Sequence, residues 1–372
     1  MFEFKSIYPI GIDISEQHLF ALQLQKNLKG FAIRGQLHRE LESIGSDGSN
    51  DWSDQEESLS NVLKEISKQN GFTGKRVALH LPLDKLLSFP VQFQLKKGNS
   101  IEEMIVQKTK EYLPFPLEQA IIDYPSIETL GLEESKRHIA TVVALKREYL
   151  DNYLSIMKKS GFIVETVDFP VSSLMRLHQN LRGTIEKPII LFHMGDRQSL
   201  LASVNNESIL YQRTILWGTK PLLRRILANF GMDDAWDKGK RLLFKYGLNY
   251  EEGMDQKVED QGEDSVAHDM HRALYQIITP SIEELVDEFL KIIGYLRSEE
   301  RNAFPERICI YGQGALIRHL DTYIERRVNI PVELVNPLGK MARSNGHGNI
   351  DSLDETAFSL ALGLAMRKVT WL

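Results

Sequence analysis

The sequence predicts an α/β protein of duplicated domains, the first of them interrupted by an inserted β-α-β-β-α-β subdomain. Three observations carry this. From Tyr8 to Leu24 an apolar run ends in Gly-x-Asp-x-Ser and resumes with Phe20, Leu22 and Leu24 at alternate positions, the period-two pattern of a hairpin. From Lys187 the theme recurs as an apolar strand, a turn at Gly195 and a second strand, so the duplication is one of supersecondary structure and not of sequence. Between the two, residues 88–169 keep a strand and helix rhythm of their own, the pattern of a small split α/β unit.

In chain order, Phe31 to Arg39 completes a meander with the first hairpin. Residues 43–60 are rich in Gly, Ser, Asp and Glu around a single Trp52, the composition of a long exposed loop. Leu59, Val62, Leu63 and Ile66 fall on one helical face, and Val77 to Leu83 reads as a buried strand. The inserted unit then runs as strand 88–94, helix 101–112, strands 120–124 and 139–145, helix 147–160 and strand 163–169. Its first helix is stopped by Leu113-Pro-Phe-Pro-Leu117, since neither proline continues a helix and each restricts the residue before it. That segment is either a rigid packing connection or a peptide-docking rim.

Val171 to Leu181 reads as a helix returning to the first domain, and the second hairpin is followed by a strand, 208–215. Helices are expected over 219–230 and 233–246, with basic residues Arg224, Arg225, Lys238, Lys240 and Arg241. Residues 249–264 are acidic and lack apolar periodicity, as in a mobile loop; in the long helical pattern over 265–297, Thr279-Pro280 is expected to mark a break or the start of a new helix. A strand at 307–311 feeds Gly312-Gln-Gly314 and a helix over 316–326, where paired glycines let backbone approach a bound group. Strand 332–334 and an Ala- and Leu-rich helix over 355–366 close the chain. The expected domains are 1–84 with 166–184, the insert 85–165, 185–225 with 305–372, and a helical subdomain 226–304 carrying the acidic loop.

Composition narrows the function classes. With 42% hydrophobic and 26% charged residues this is ordinary globular composition, and a net charge of -6 argues against a general nucleic-acid binder, which needs a basic face. The lone Cys309 gives neither an internal disulfide nor a zinc site. No apolar run approaches the roughly 18 residues of a spanning helix, and the opening Met-Phe-Glu-Phe-Lys is no secretion signal, so the expected location is the cytoplasm. Asp13, at the mouth of the first hairpin, either faces a cleft where a metal-bound phosphate sits or bonds only its own turn.

The order of these parts resembles the actin-like ATPase superfamily, of ribonuclease H-like fold, and within it the type IV pilus assembly protein PilM family. The residues that carry the resemblance are Gly11-Ile-Asp-Ile14, Tyr112-Leu-Pro-Phe-Pro-Leu-Glu118 with Asp123-Tyr124, and Lys159-Ser-Gly-Phe162 with Val167-Asp168. Gly312 to Ala315, Ile330-Pro-Val-Glu-Leu-Val-Asn-Pro337 and Ala361-Leu-Gly-Leu-Ala-Met-Arg367 complete it. It implies ATP with Mg²⁺ as cofactor, nucleotide-binding candidates Asp13, Ser15, Gln17, Gly195, Asp196, Gly218, Lys238, Gly312 and Gly314, and Asp13 holding the metal through water.

Departures weigh against that chemistry. Where the family has Gly, small or hydroxyl residues and a lysine after the first Asp-Ile, this chain has Ser15, Glu16, Gln17, His18 and, at the lysine position, Phe20. The second loop is His193-Met-Gly195 in place of Asp-x-Gly, which removes a carboxylate expected near the metal or the attacking water, and Asp234-Ala-Trp236 replaces the nucleoside-holding Glu-Ala-Glu.

The expected function is therefore a cytoplasmic scaffold of a type IV pilus or a related secretion or motility machine, peripheral to the inner membrane, with nucleotide hydrolysis weak or lost and either ATP with Mg²⁺ or no cofactor bound. The resemblance implies an inner-membrane partner of the PilN type offering a short cytoplasmic N-terminal peptide, with Leu83, Leu86, Phe89, Leu113, Phe115 and Leu117 as groove candidates; self-association is a further option, while nucleic acid and a membrane span are not expected. The alternatives are an ATP-binding switch with a retained Mg-ATP site, in which Asp196 replaces the lost carboxylate, and a small-molecule kinase of the same superfamily.

Overall fold

A computed structural model describes residues 6–15, 18–27, 30–41, 52–68, 71–95, 98–131, 136–206, 208–248, 262–298, 304–339, 341–343 and 355–367. The chain divides into two compact units, one of residues 1–184, 207–213 and 337–372, the other of 185–206 and 214–336.

In the first unit β1 (Ser6–Ile14), β2 (His18–Asn27) and β3 (Gly30–Glu40) form the expected meander, α1 (Trp52–Lys68) follows, and β4 (Arg76–Leu79) pairs in parallel with β1. The loop expected over 43–60 is shorter, because α1 already begins at Trp52; residues 42–51 lie outside the described ones. Then come β5 (Leu87–Phe93), α2 (Ile101–Thr109), β6 (Ala120–Leu130), β7 (Arg137–Lys146), α3 (Arg147–Lys159), β8 (Ile163–Val167) and α4 (Pro170–Arg182). Ser100 starts α2 by accepting from Glu103 N while the Glu103 carboxylate accepts from Ser100 N, which satisfies two end amides at once.

The expected insert of six elements is split. β5, β6 and β7 form a three-stranded sheet in the order β5-β7-β6, but β8 joins the sheet of the meander, and α3 packs there too. The reason lies in the faces of the small sheet. One buries Val91, Phe93, Ala140 and Val142 against Met104 and Ile105 of α2. The other carries Ser126 and Thr141, which donate to Ile209 O at 3.0 Å each, while Leu145 and Ile121 at the end of that face join the core that α3 covers. Tyr153, Ile156 and Met157 join Leu59, Leu63 and Ile66 of α1 over Ile10, Ile12 and Ile14. Both edge strands of the small sheet carry a proline, Pro90 in β5 and Pro125 in β6.

In the second unit β9 (Ile189–Met194) and β10 (Ser199–Val204) precede α5 (Thr219–Phe230), α6 (Trp236–Tyr246) and α7 (Gly262–Ser298), while residues 209–213 of the intervening β11 (Ile209–Ile215) count with the first unit. β12 (Ile308–Gly312), α8 (Leu320–Val328) and β13 (Val332–Leu334) follow. Neither the break nor the new helix start expected at Thr279-Pro280 occurs. Pro280 sits inside α7, flanked by buried Leu274, Ile278, Ile282, Leu285 and Phe289, whose burial offsets the roughly 3 kcal/mol an interior proline costs. α7 also starts at Gly262, so the end of the expected acidic loop is helical, while residues 249–261 lie outside the described ones. The helix expected from Leu316 begins at Leu320, after a short 3-10 turn over Gln313–Leu316.

The chain closes in the first unit with β14 (Ala342–Arg343) and α9 (Ser359–Ala365). The two large sheets run β14-β3-β2-β1-β4-β8 and β11-β10-β9-β12-β13. Each centres on an antiparallel hairpin whose first strand takes a later strand in parallel, β4 on β1 and β12 on β9. The duplication read from the two hairpins is thus one of sheet topology.

α9 presses on the hairpin face opposite α1 and α3, and Gly11 is where it comes closest: a Cβ there would stand 2.1 Å from Ala361 O and 2.6 Å from Ala365 N. Both neighbours are main chain and cannot swing aside. Gly11→Ala is expected to cost about 1–3 kcal/mol or more, read as a lower urea midpoint at unchanged slope.

Candidate functional site

The first hairpin places Asp13, Phe20 and His38 side by side across β1, β2 and β3. Its turn is closed by Ser15 N on His18 O at 2.8 Å and by His18 N on Ser15 Oγ at 3.0 Å, so the candidate Ser15 already serves the turn; Gln17 lies outside the described residues. Phe20 is buried, stacked on His38 at 4.4 Å between ring centres and edge-on to Phe358 at 5.2 Å. His38 in turn bonds His18, Nε2 to Nδ1, at 3.1 Å. An aromatic cluster thus occupies the position where the resemblance expects a cation.

Asp13 is 8% exposed, and its Oδ1 lies 3.5 Å from Nδ1 of His80, a residue with no exposure at all. His80 follows β4, its amide donating to Ile12 O at 3.1 Å, which is what carries the ring under Asp13. From Nε2 a chain of bonds leads inward: 2.9 Å to Ser173 Oγ on α4, then Ser173 Oγ to Asp168 Oδ2 at 3.2 Å. Asp168 accepts only, so the single hydroxyl proton of Ser173 is spent on it and the proton in the first link sits on His80 Nε2. Arg176 and Arg367 each reach Asp168 Oδ2 at 2.8 Å, and Arg176 also donates to Gly363 O at 2.8 Å, which ties α4 and α9 to one carboxylate. Burial pushes the Asp168 carboxyl up, but the charges of Arg176, His80 and Arg367 outweigh it and hold the group below its ordinary value.

The second unit gathers Gly195, Asp196, Gly218, Gly312 and Gly314 around the β9–β10 turn. Gly195 N donates to Ser199 Oγ at 3.3 Å, and Ser199 Oγ donates to Trp217 O at 2.6 Å. The first amides of α5 are also committed, Thr219 N to Gly195 O at 3.1 Å and Lys220 N to Asp196 O at 2.8 Å. Thr219 Oγ1 lies 3.3 Å from Asp196 Oδ1 and 2.9 Å from Gln313 Oε1, so one hydroxyl joins the hairpin turn, the start of α5 and the turn after β12. At Gly314 the space of a side chain is taken by Met194, whose Sδ stands 2.5 Å from where a Cβ would be. Lys238 is set apart, exposed on α6. Among the described residues no three His, Cys, Asp or Glu side chains group as a metal site.

The groove candidates are all half-buried. Leu86 packs on the meander core and Phe89 on the small sheet's core, where it also stacks on Tyr112 at 4.7 Å. Leu113, Phe115 and Leu117 alternate with exposed Pro114 and Pro116, a short extended row with one apolar side. Leu83 stands in a separate 3-10 turn, Leu83–Lys85.

Sequence reasoning missed His80, Ser173, Arg176, Thr219 and Gln313. Asp168 and Arg367 were within reach, since both stand in segments that carried the resemblance. Asp168→Asn leaves two arginines facing a neutral amide and is expected to cost about 3–5 kcal/mol. Because the folded carboxyl titrates below its unfolded value, its stabilisation is complete at neutral pH and is lost as pH falls through the folded pKa; urea melts across the acid range should show a shallower acid limb in the variant.

Comparison with known proteins agrees with this architecture. The family described as type IV pilus assembly protein PilM matches residues 11–254 and 237–369. Among solved structures, the PilM-PilN type IV pilus biogenesis complex holds a chain similar to this one at 19% identity, covering 96% of this chain and 98% of that one, with a TM-score of 0.72. The ethanolamine utilization protein EutJ from Carboxydothermus hydrogenoformans is 10% identical over 96% of this chain and 89% of its own, with a TM-score of 0.51. The fold is that of the actin-like ATPases, and with nearly its whole length matched the chain belongs to the type IV pilus assembly protein PilM family.

Proposed function

We propose that this protein is a cytoplasmic scaffold of type IV pilus assembly that takes the short N-terminal peptide of an inner-membrane partner of the PilN type and has lost nucleotide hydrolysis. The observation that carries it is Phe20. It stands where the resemblance places a phosphate-binding lysine, and it is buried in a stack with His38 and Phe358. Other groups lean the same way: the Gly195 amide and the first amides of α5 are bonded within the protein, and Asp13 has His80 beside it. On this reading the residues do not fit a Mg²⁺-bound triphosphate, and no step runs through one.

The peptide reading draws on family membership and on the row Leu113, Phe115 and Leu117. Rigid prolines hold these side chains half out of the core, where a partner can cover them with little loss of conformational freedom. A cytoplasmic place beside the inner membrane follows from such a partner, and no described helix is long and apolar enough to cross a membrane.

Titration of ATP with Mg²⁺ into the purified protein should give no saturable heat at millimolar nucleotide; heat that Asp13→Ala abolishes would restore the switch. In a separate titration, a labelled peptide from the partner's cytoplasmic N-terminus should bind the wild type, and Phe115→Ala should weaken it about tenfold or more, as loss of a buried aromatic anchor does. Unchanged affinity would move the docking site elsewhere.

A further inference from the structure

On α6, Lys238, Arg241 and Lys245 recur at i, i+3 and i+7 and so share one face of the helix, turned away from buried Gly239 and Leu243. All three are exposed. At the helix end Leu248 N donates to Arg318 O at 2.9 Å, and Gly247 passes so close that a Cβ there would stand 2.9 Å from Arg318 Cβ. The exposed Arg318 therefore prolongs the stripe beyond the helix. Among the described residues no carboxylate lies within ion-pair distance of these four cations, and even Asp237, four residues before Arg241, pairs with neither it nor Lys238. Other exposed cations divide, with Arg39, Arg76, Lys159 and Arg327 holding carboxylates while Lys64, Lys75, Lys110, Arg224 and Arg326 are exposed singly; what sets the stripe apart is that four cations line one surface. Trp236 and Tyr246, both half-buried, bound the stripe, with Lys245 over the Tyr246 ring at 4.9 Å.

We propose that this stripe is a docking surface for the headgroups of an anionic phospholipid membrane. A convex helix face with four cations is too small and too shallow to follow a nucleic-acid backbone, whose binding draws on many phosphates. It suits a flat anionic sheet, and amphipathic aromatics at its two ends fit the headgroup boundary. A chain of net charge -6 is repelled by such a surface on average, so the stripe also favours one orientation of approach. Each cation near an anionic leaflet is worth about fivefold in partition, which gives weak, salt-sensitive contact that gains strength when a second anchor holds the protein nearby. The choice of a lipid over another flat anion rests on the proposed inner-membrane partner.

The test is flotation of the full chain with vesicles of neutral phosphatidylcholine, with and without about a third phosphatidylglycerol; using the whole chain keeps the acidic residues 251–264 in the balance. The expected result is partition onto the anionic vesicles alone, reversed by high salt, and reduced by more than about twentyfold in the triple variant Arg241→Gln, Lys245→Gln, Arg318→Gln. Equal partition onto neutral vesicles, or no loss in a variant whose melting temperature is unchanged, overturns the proposal. So does binding of inorganic phosphate, ATP or polyglutamate without binding to vesicles. Peptide affinity, measured apart, should not change in the triple variant; a wild type that floats but takes no peptide would sink the peptide reading and leave the stripe standing.

Discussion

Asp168 is a carboxylate taken out of water, and an ion so placed must be surrounded by charge and donors or not be there at all. Here Arg176 comes from α4, Arg367 from just past α9 and Ser173 from the first turns of α4, so segments far apart in sequence meet on one oxygen. The strand that delivers Asp168 is β8, in parallel register with β4, and β4 delivers His80. The site beneath Asp13 and the seating of the last helix are therefore parts of one polar network. Weakening any member exposes the others to an unpaired charge.

The two units reuse one strand order with different chemistry at the turn. In the first, an aromatic cluster and a buried histidine surround the hairpin carboxylate. In the second, Thr219 draws three loops together by bonds among themselves. Both are ways of satisfying polar turn groups from inside the protein.

Much of the fold was legible because strand pairs announce themselves locally. Period two in β1, β2, β9 and β10 and the Gly turn at 195 need no knowledge of distant residues. Helix α3 shows the limit: its apolar stripe says that something covers it, and nothing in the stripe says which of two sheets. α3 in fact lies over the meander core together with Leu145 and Ile121 of the small sheet, a meeting of separated segments that no single stripe announces. Pro280 misled for a related reason, since a local breaker was overridden by burial along α7. In the candidate site, the glycines at 195, 218, 312 and 314 were found by pattern and do meet, while His80 sits in an apolar stretch with no spacing to mark it and Arg176 finds its partner only through folding.

The small three-stranded sheet has a further consequence. Proline has no N–H to offer along the open side of a strand, and both outer strands carry one, Pro90 in β5 and Pro125 in β6. Each margin therefore lacks one donor that an added strand would use, which disfavours edge-to-edge pairing along it. Recognition of this module leans accordingly on its side chains, a more selective mode of attachment than main-chain pairing.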